Sequence, residues 1–511
     1  MPQPRAVLLL LSVFVVAVAG LVYELVVGTL STYLLGASVL VFSLVIGLFL
    51  SAMGLGAWAA QYVRVDLVRA FIRAEIALAA VGGLSALALF WAFSALGDLY
   101  PVAVLIVSVA TGALVGVEIP LLIRILEQRV EVRVAVSHVL ALDYAGALVA
   151  SVLFPLLLLP QLGLVRASAL LGGMNLLVAA AALRLFRDEL TDPAPLRRQS
   201  LAVGALLGLV GLGGGQATRW VEDQLYADQV LYAATTPYQR IVVTRWRDDW
   251  RLYLDGNLQF SSTDEHRYHE SLVHVPMAYA RGARRALVLG GGDGLAVREL
   301  LRHPQVSSID LVDLDPAVLD LFRDHPTLSA LNDHSLRDPR LRTHTADALR
   351  FLEDADQRWD VILIDLPDPN DAALARLYSQ GAYQLALRRL SDQGALVTQA
   401  TSPFFARQSY WCIVRTLEAA VAADPIPREV RPYHVNVPSF GEWGFALVTA
   451  RGAQPDMAAL DRPLRFLRPD VLQALFVLPE DLGPVPAEVN RLENAVLATY
   501  YRRDWGRFNS P

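Results

Sequence analysis

The chain has 511 residues, enough for two or three domains, and with 54% hydrophobic against 18% charged residues it is too apolar for a purely water-soluble protein. A net charge of −6 argues against nucleic acid as a partner and suits a cationic substrate. The single cysteine, Cys412, excludes internal disulfides and any cysteine-built metal site.

The apolar excess lies in residues 1–217. Stretches long enough to span a bilayer fall at 6–28, 38–60, 74–95, 99–123, 138–160 and 163–186, with a shorter, glycine-rich seventh at 200–216. The first is too long for a signal-peptide core and lacks a clear cleavage site, so it is expected to be retained. The links between them alternate in charge. Arg64, Arg69 and Arg73 sit in one, Arg124, Arg129 and Arg133 in another, and Arg184, Arg187, Arg197 and Arg198 in a third. The positive-inside rule places the amino terminus and these three links in the cytoplasm. Carboxylates within the spans (Glu24, Glu75, Glu118, Asp143) each cost about 2.5 kcal/mol or more at a helix centre and should face the bundle interior. Glu75 suits a pairing with Arg73; the other three divide between packing and an amine-related site. Gly112, Gly116, Gly146, Gly172 and Gly173 would allow close helix contact.

Residues 218–279 read as a small β domain, with strands at Gln239–Arg245 and Trp250–Asp255 and a turn at Asp255-Gly256-Asn257. A charged run, Asp264-Glu-His-Arg-Tyr-His-Glu270, leads into a helix. Residues 280–451 then alternate strands (286–290, 308–313, 341–345, 360–365, 395–400) with helices, which predicts a parallel sheet covered by helices, and a further strand pair is expected near 430–437 and 444–450. Residues 452–511 form a proline-containing tail with a helical run at 486–501, for which no role can be read.

Within the sheet domain, an apolar strand enters Gly290, Gly291, Gly292 and Gly294, and a helical pattern leaves them. About twenty residues on, a second strand ends in the carboxylates of Asp313 and Asp315, where such sheets place the acid that grips a ribose. The spacing is not G-x-G-x-x-G, and Asp293 inside the loop would repel a pyrophosphate. A positively charged adenosine ligand of the S-adenosylmethionine type therefore fits better than NAD. Asp293, Asp313, Asp347, Asp365 and Asp368 should all lie along the carboxyl edge of the sheet, a crowding that needs cations to neutralise it. A divalent metal and an organic polycation are the candidates. His266, His269 and His274 stand near in sequence, but their spacings match no zinc signature, so the polycation is preferred and no metal site is expected.

Six motifs in order then carry a resemblance: Tyr238-Gln239, Leu254-Asp-Gly-Asn-Leu-Gln259, Asp264–Glu270, Gly290-Gly-Gly-Asp-Gly294, Asp347-Ala348 and Asp365-x-x-Asp-Pro369, with Val437-Pro-Ser-Phe-Gly-Glu-Trp-Gly-Phe445 as a later match. From about Asp228 to Ala450 the chain resembles the spermidine synthase family of polyamine aminopropyltransferases, and its first half resembles that of bacterial members with an amino-terminal multi-span domain. The resemblance implies a multi-span α-helical membrane domain (1–217), a small β domain (218–279) and an α/β Rossmann-like domain related to S-adenosylmethionine-dependent methyltransferases (280–451), followed by the tail (452–511). It implies transfer of an aminopropyl group from decarboxylated S-adenosylmethionine, a co-substrate and not a cofactor, to a polyamine acceptor such as putrescine. Gln239 would contact the thioadenosine, Asp313 the ribose, Asp347 and Ala348 the adenine, and Asp293 the aminopropyl end. Tyr268, His269 and Asp368 would line the amine channel, and Asp365 would be the base. Phe440 falls where many members have a tyrosine facing the amine. Asp313 stands where Glu is usual, and Leu366 and Pro367 replace small polar residues. A methyltransferase using intact S-adenosylmethionine and a polyamine transporter or sensor are the competing readings. Family members commonly pair, which implies a homodimer. With the amino terminus inside, seven full crossings would deliver residues 218–511 outside; the location of the donor instead implies six crossings and a catalytic domain facing the cytoplasm, with 200–216 packed against the bundle or lying in the interface.

Overall fold

A computed structural model describes residues 4–35, 39–128, 131–226 and 228–507. The chain divides into two compact units, Met1–Pro237 and Tyr238–Pro511.

Among the described residues the first unit holds helices α1 (Pro4–Leu35), α2 (Val39–Ala60), α3 (Leu67–Leu96), α4 (Tyr100–Leu126), α5 (Val132–Leu153), α6 (Leu159–Leu185) and α7 (Ala194–Leu225). Five helical runs are long and apolar enough to cross a membrane: Leu9–Leu34, Val41–Ala60, Leu67–Leu96, Tyr100–Leu126 and Val132–Leu185. The last, at 54 residues, far exceeds the ~30 Å of a hydrocarbon core at about 1.5 Å per residue. It is broken at Gly163, whose φ of 70° lies outside the helical region, so the stretches expected at 138–160 and 163–186 are distinct helices joined there. Close packing rests on small residues: a Cβ on Gly112 would lie 2.6 Å from the Phe49 carbonyl oxygen of α2, and one on Gly116 would run into the backbone of Met53. Gly146 and Gly172 meet α1 and α3 in the same way, whereas Gly173 faces open space.

The arginine-bearing links gather at one end of this bundle. Arg124 Nη1 donates to the Ala60 carbonyl at 2.9 Å, and Arg69 pairs with Asp66 at 2.8 Å and donates to the Thr191 carbonyl. One apolar cluster, with Phe71, Leu122, Ile125 and Phe186, fills that end, and a second, with Leu30, Phe90, Tyr100 and Phe154, fills the other. A polar set of Tyr23, Glu75, Glu118 and Asn175, each with no exposed surface, is buried within the bundle. The expected pairing of Glu75 with Arg73 does not form: Arg73 is exposed, Glu75 lies beside Asn175, and the carboxylate oxygens of Glu118 have no hydrogen-bond partner among the described residues. Helix α7 contains the stretch expected at 200–216 but is twice as long. Leu196 lies in the cluster at the arginine end, Leu207 packs between Gly83 and Gly172, and Gly214 meets Val165 and Arg166. The chain thus enters α7 at the arginine end and leaves it at the other.

A sheet of four strands in chain order, β1 (Gln229–Thr235), β2 (Arg240–Trp246), β3 (Asp249–Leu254) and β4 (Asn257–Ser261), comes next, with β2–β3 and β3–β4 antiparallel. Helix α8 (Glu265–Tyr279) leads to β5 (Arg285–Gly290), α9 (Leu295–Leu301), β6 (Ser308–Asp313), α10 (Pro316–Asp324), α11 (Pro326–Leu331), β7 (Leu341–Thr345), α12 (Ala348–Asp354) and β8 (Trp359–Asp365). Then follow α13 (Ala372–Ala375), α14 (Gln380–Arg388), β9 (Leu390–Gln399), α15 (Arg407–Ala422), β10 (Arg428–Val437) and β11 (Gly441–Ala450). The resulting seven-stranded sheet has the order β10-β11-β9-β8-β5-β6-β7. Its β5 to β9 part is parallel, as expected, and β11 and β10 add antiparallel strands. Chain order reverses at β5, which has β6 on one side and β8 on the other. A crevice beyond the strand ends follows from that reversal.

The tail is built into this unit. Beyond α16 (Pro469–Leu475), helix α17 (Val496–Gly506) buries Leu497, Ala498 and Tyr500 in the same core as Leu289, Ile364 and Trp411.

Glu118 yields a stability prediction for the bundle. Replacing a buried ionisable side chain that has no hydrogen-bond partner with a neutral one of the same shape removes a desolvation cost, whereas a lysine puts a longer side chain and an ammonium into the same closed space, a penalty of several kcal/mol. Glu118→Gln should therefore keep or raise the thermal midpoint in detergent, and Glu118→Lys should lower it sharply. A midpoint for the glutamine variant well below that of the parent would mean the carboxylate has a partner.

Candidate active site

Parallel pairing of β5 with β8 puts Gly290 opposite Asp365, so the glycine loop and the Asp365 strand end meet at one point. Glycine is required there by contact as well as by conformation. Gly290 and Gly291 have φ of 81° and 68°, and a Cβ on Gly290 would run into the Asp365 carbonyl. On Gly292 it would lie 2.6 Å from Asp313 Oδ2, the atom that accepts the Gly292 N–H at 3.0 Å.

The charged run before β5 becomes the first turns of α8, and its side chains fan out to four different parts of the unit. Asp264 accepts from Ser439 N–H (2.6 Å) and Oγ (2.9 Å), fixing the turn that carries Phe440. Tyr268 donates its hydroxyl to Asp365 Oδ1 at 2.6 Å. His269 Nδ1 lies 2.8 Å from Glu265 Oε2, which also accepts from Arg298 Nη2 at 2.9 Å. Glu270 accepts three successive backbone N–H groups, those of Arg465, Phe466 and Leu467, at 2.8–2.9 Å.

These contacts set the charges. Burial opposes a cation on His269, but the Glu265 carboxylate overrides it and raises the imidazole to about 9. Against its own burial, Glu265 is held down at about 2 by His269 and Arg298. Around this fixed cation the carboxyl groups move the other way. Burial pushes Asp293 up to about 6, opposed by His269 and reinforced by Asp365. Asp313 is likewise pushed up to about 6 by burial, in spite of the N–H groups of Asp315 and Gly292 that it accepts. Asp365 is raised by burial against the pull of His269 and Tyr268. Burial also lifts Asp368 to about 6, although it accepts from Tyr501 (2.8 Å), Thr401 (3.1 Å) and Gln399 (3.2 Å).

Sequence-predicted residues fall into two groups. Tyr268, His269, Asp293, Asp313, Asp365 and Asp368 interact with one another at the glycine-loop edge. Phe440 joins them through Tyr268, with ring centroids 6.2 Å apart, and packs on Trp443 at 5.0 Å. Gln239 reaches the same edge through Asp315, to which its amide donates at 3.0 Å. Asp347 is occupied locally: it caps α12 through the N–H groups of Leu349 and Arg350 and pairs with Arg376. Ala348 is buried in the sheet core. His274 turns away from the cleft to Glu299 and His303.

Sequence reasoning missed Arg298, Gln399, Thr401 and Tyr501. Gln399 ends β9, so the strand-end rule that singled out Asp365 also pointed to it. Thr401 has a φ of 57°, an outlier for a β-branched residue, and this turn brings its hydroxyl to Asp368. Nothing in the local pattern marked Tyr501, which lies 133 residues beyond its partner.

Comparison with known proteins places these features in a family. Residues 265–459 match the spermine/spermidine synthase domain family. A polyamine aminopropyltransferase of Leptospira interrogans is 43% identical over 501 residues, which is 98% of this chain and 99% of the relative. Polyamine aminopropyltransferase 1 of Ralstonia nicotianae is 45% identical over 514 residues (99% and 97%), and polyamine aminopropyltransferase 1 of Streptomyces coelicolor is 42% identical over 514 residues (98% and 94%). With this much identity along the whole of both chains, helical unit included, the protein belongs to the polyamine aminopropyltransferase family.

Proposed function

We propose that this enzyme transfers the aminopropyl group of decarboxylated S-adenosylmethionine to a diamine, with putrescine giving spermidine and 5′-methylthioadenosine leaving. One observation carries the reading. Four carboxyl groups (Asp293, Asp313, Asp365, Asp368) line one cleft, and the His269 cation faces two of them, Asp293 and Asp365. A cleft so charged suits two cationic substrates. It disfavours intact S-adenosylmethionine, whose own carboxylate would meet the same acids.

The reaction forms a C–N bond and breaks a C–S bond. An amine nitrogen attacks the methylene carbon beside the sulfonium, the bonding pair goes to sulfur, and a neutral thioether departs. The amine arrives as an ammonium and must first lose a proton. Passing it to an ordinary Asp spans about six pKa units, or roughly 8 kcal/mol. Burial narrows that gap from both sides by raising Asp365 and by destabilising the ammonium. Tyr268 occupies Asp365 Oδ1, and Gly291 leaves space beside Oδ2, so Oδ2 is the oxygen we assign to the proton. Asp313 takes the ribose hydroxyls, with Gln239 at the thioadenosine and Asp293 at the aminopropyl ammonium. Asp368 receives the cationic end of the amine, beside Phe440. Asp347, capping α12, sets the adenine edge through backbone placement together with Ala348.

The protein chemistry also bears on orientation. The adenosyl donor belongs to the cytoplasm, and we place the catalytic unit there. The positive-inside rule bears on the side of the arginine links, and substrate supply on the side of the catalytic unit.

Three outcomes follow. Asp365→Asn should lower kcat by more than about tenfold, or roughly 1.4 kcal/mol of barrier, while methylthioadenosine still binds; a smaller loss removes the base assignment. The pH profile of kcat/KM should fall on the acid side of about 6, because protonation of the coupled acids removes the charges that hold both substrates, and should level off above it. A flat profile from pH 7 to 5 would exclude that. Finally, a reporter fused after Pro511 should be active in its cytoplasmic form; activity only of the exported form would reverse the orientation.

A further inference from the structure

Tyr501 lies outside residues 265–459, the segment matched by the synthase domain family, yet its hydroxyl reaches a carboxylate of the acid cleft. The contact is supported from behind. On the same helix, Asp504 accepts from both the N–H (3.0 Å) and Oγ (2.9 Å) of Ser409, locking α17 to the start of α15. Trp505 stacks on Phe405 with ring centroids 5.4 Å apart, and Asn490, just before the helix, donates to the Ala375 carbonyl at 2.7 Å. Leu497 and Ala498 are buried in the sheet core. The tyrosine is therefore delivered by a rigid element.

At Asp368 the three donors are unequal in origin and in use. Gln399 takes Oδ1, and its amide is shared with the Leu366 carbonyl at 2.8 Å. Thr401 and Tyr501 both take Oδ2. Each is neutral, so together they orient the carboxylate without cancelling its charge. Tyr501 is itself half-buried, with its hydroxyl on Asp368 and its ring centroid 6.1 Å from that of Trp505.

We propose that Tyr501 is a positioning residue for the acceptor amine: α17 supplies the hydroxyl that fixes Asp368 as the seat for the acceptor's distal ammonium. The proposal rests on the reading that Asp368 faces the amine. It makes the C-terminal segment part of the substrate site, beyond the family-matched domain. A hydrogen bond to a charged group contributes enough to change affinity about tenfold or more. Removing it also leaves the Asp368 carboxylate less stabilised, so its proton is held to higher pH.

The test uses the full-length enzyme in detergent or membranes, with putrescine as acceptor and decarboxylated S-adenosylmethionine as donor. Tyr501→Phe keeps the ring and removes only the hydroxyl. The expected result is an amine KM raised about tenfold, a donor KM and thermal midpoint like the parent's, and an acid limb of kcat/KM for the amine moved to higher pH. An amine KM and acid limb within twofold and 0.2 pH units (roughly, the resolution of such profiles) of the parent would overturn it. So would an equal loss for donor and amine accompanied by a lower midpoint, which is the signature of support alone. Asp368→Asn separates the two levels of inference. If it leaves the amine KM unchanged, the placement of Asp368 is wrong; if it raises the amine KM and Tyr501→Phe does not, only the role of Tyr501 fails.

Discussion

Carboxylates do not collect at the end of a sheet unless something positive is held among them. In this protein that charge is His269, and its protonation is enforced from the side by Glu265, which Arg298 holds ionised in turn. The arrangement is asymmetric in a useful way. One imidazolium keeps Asp293 and Asp365 from both becoming neutral, yet it does not compensate the whole set. In the proposed reaction the remaining deficit of positive charge is made up by the substrates. A stronger cation in place of His269, with full pairing, would leave a cleft with no electrostatic reason to accept an ammonium.

The same helix that provides His269 ties together parts of the unit that are far apart in sequence. Successive residues of the run 264–270 reach the β10–β11 turn, helix α9, the end of β8 and the backbone at 465–467. Three of these partners touch the cleft directly or through one residue. The charged character of the run, which leads into a helix, is spent almost entirely inside the protein. Glu265 and Glu270 are nearly inaccessible to water.

Much of this was legible in the sequence, and the reason is local. Strand-to-glycine transitions, acids at strand ends and the alternation of strands with helices are set by neighbouring residues, so Asp293, Asp313 and Asp365 were located by pattern alone. What sequence reading lacked was contact at long separation. Asp347 looked equivalent to the other acids, but Arg376, 29 positions on, takes its charge. Glu75 had an arginine two positions away, and helix geometry turned the two to different faces, one buried and the other exposed. The antiparallel addition of β11 and β10 was visible as two strands but not as members of the same sheet. The helical run expected in the tail at 486–501 forms at Val496–Gly506 instead, and its role was not readable because it depends on where α17 docks and not on any motif within it.

The reach from Asp368 to Tyr501 also orders events in time. Those residues are 133 positions apart, and at about 5–20 residues per second a ribosome needs roughly 7–27 seconds to cover that distance. The helices of the first unit are made well before either residue. During that interval β9, β10 and β11 are also made, and Asp368 still lacks the donor that α17 supplies. Of the three donors that hold Asp368, the one on α17 is therefore the last to be synthesised.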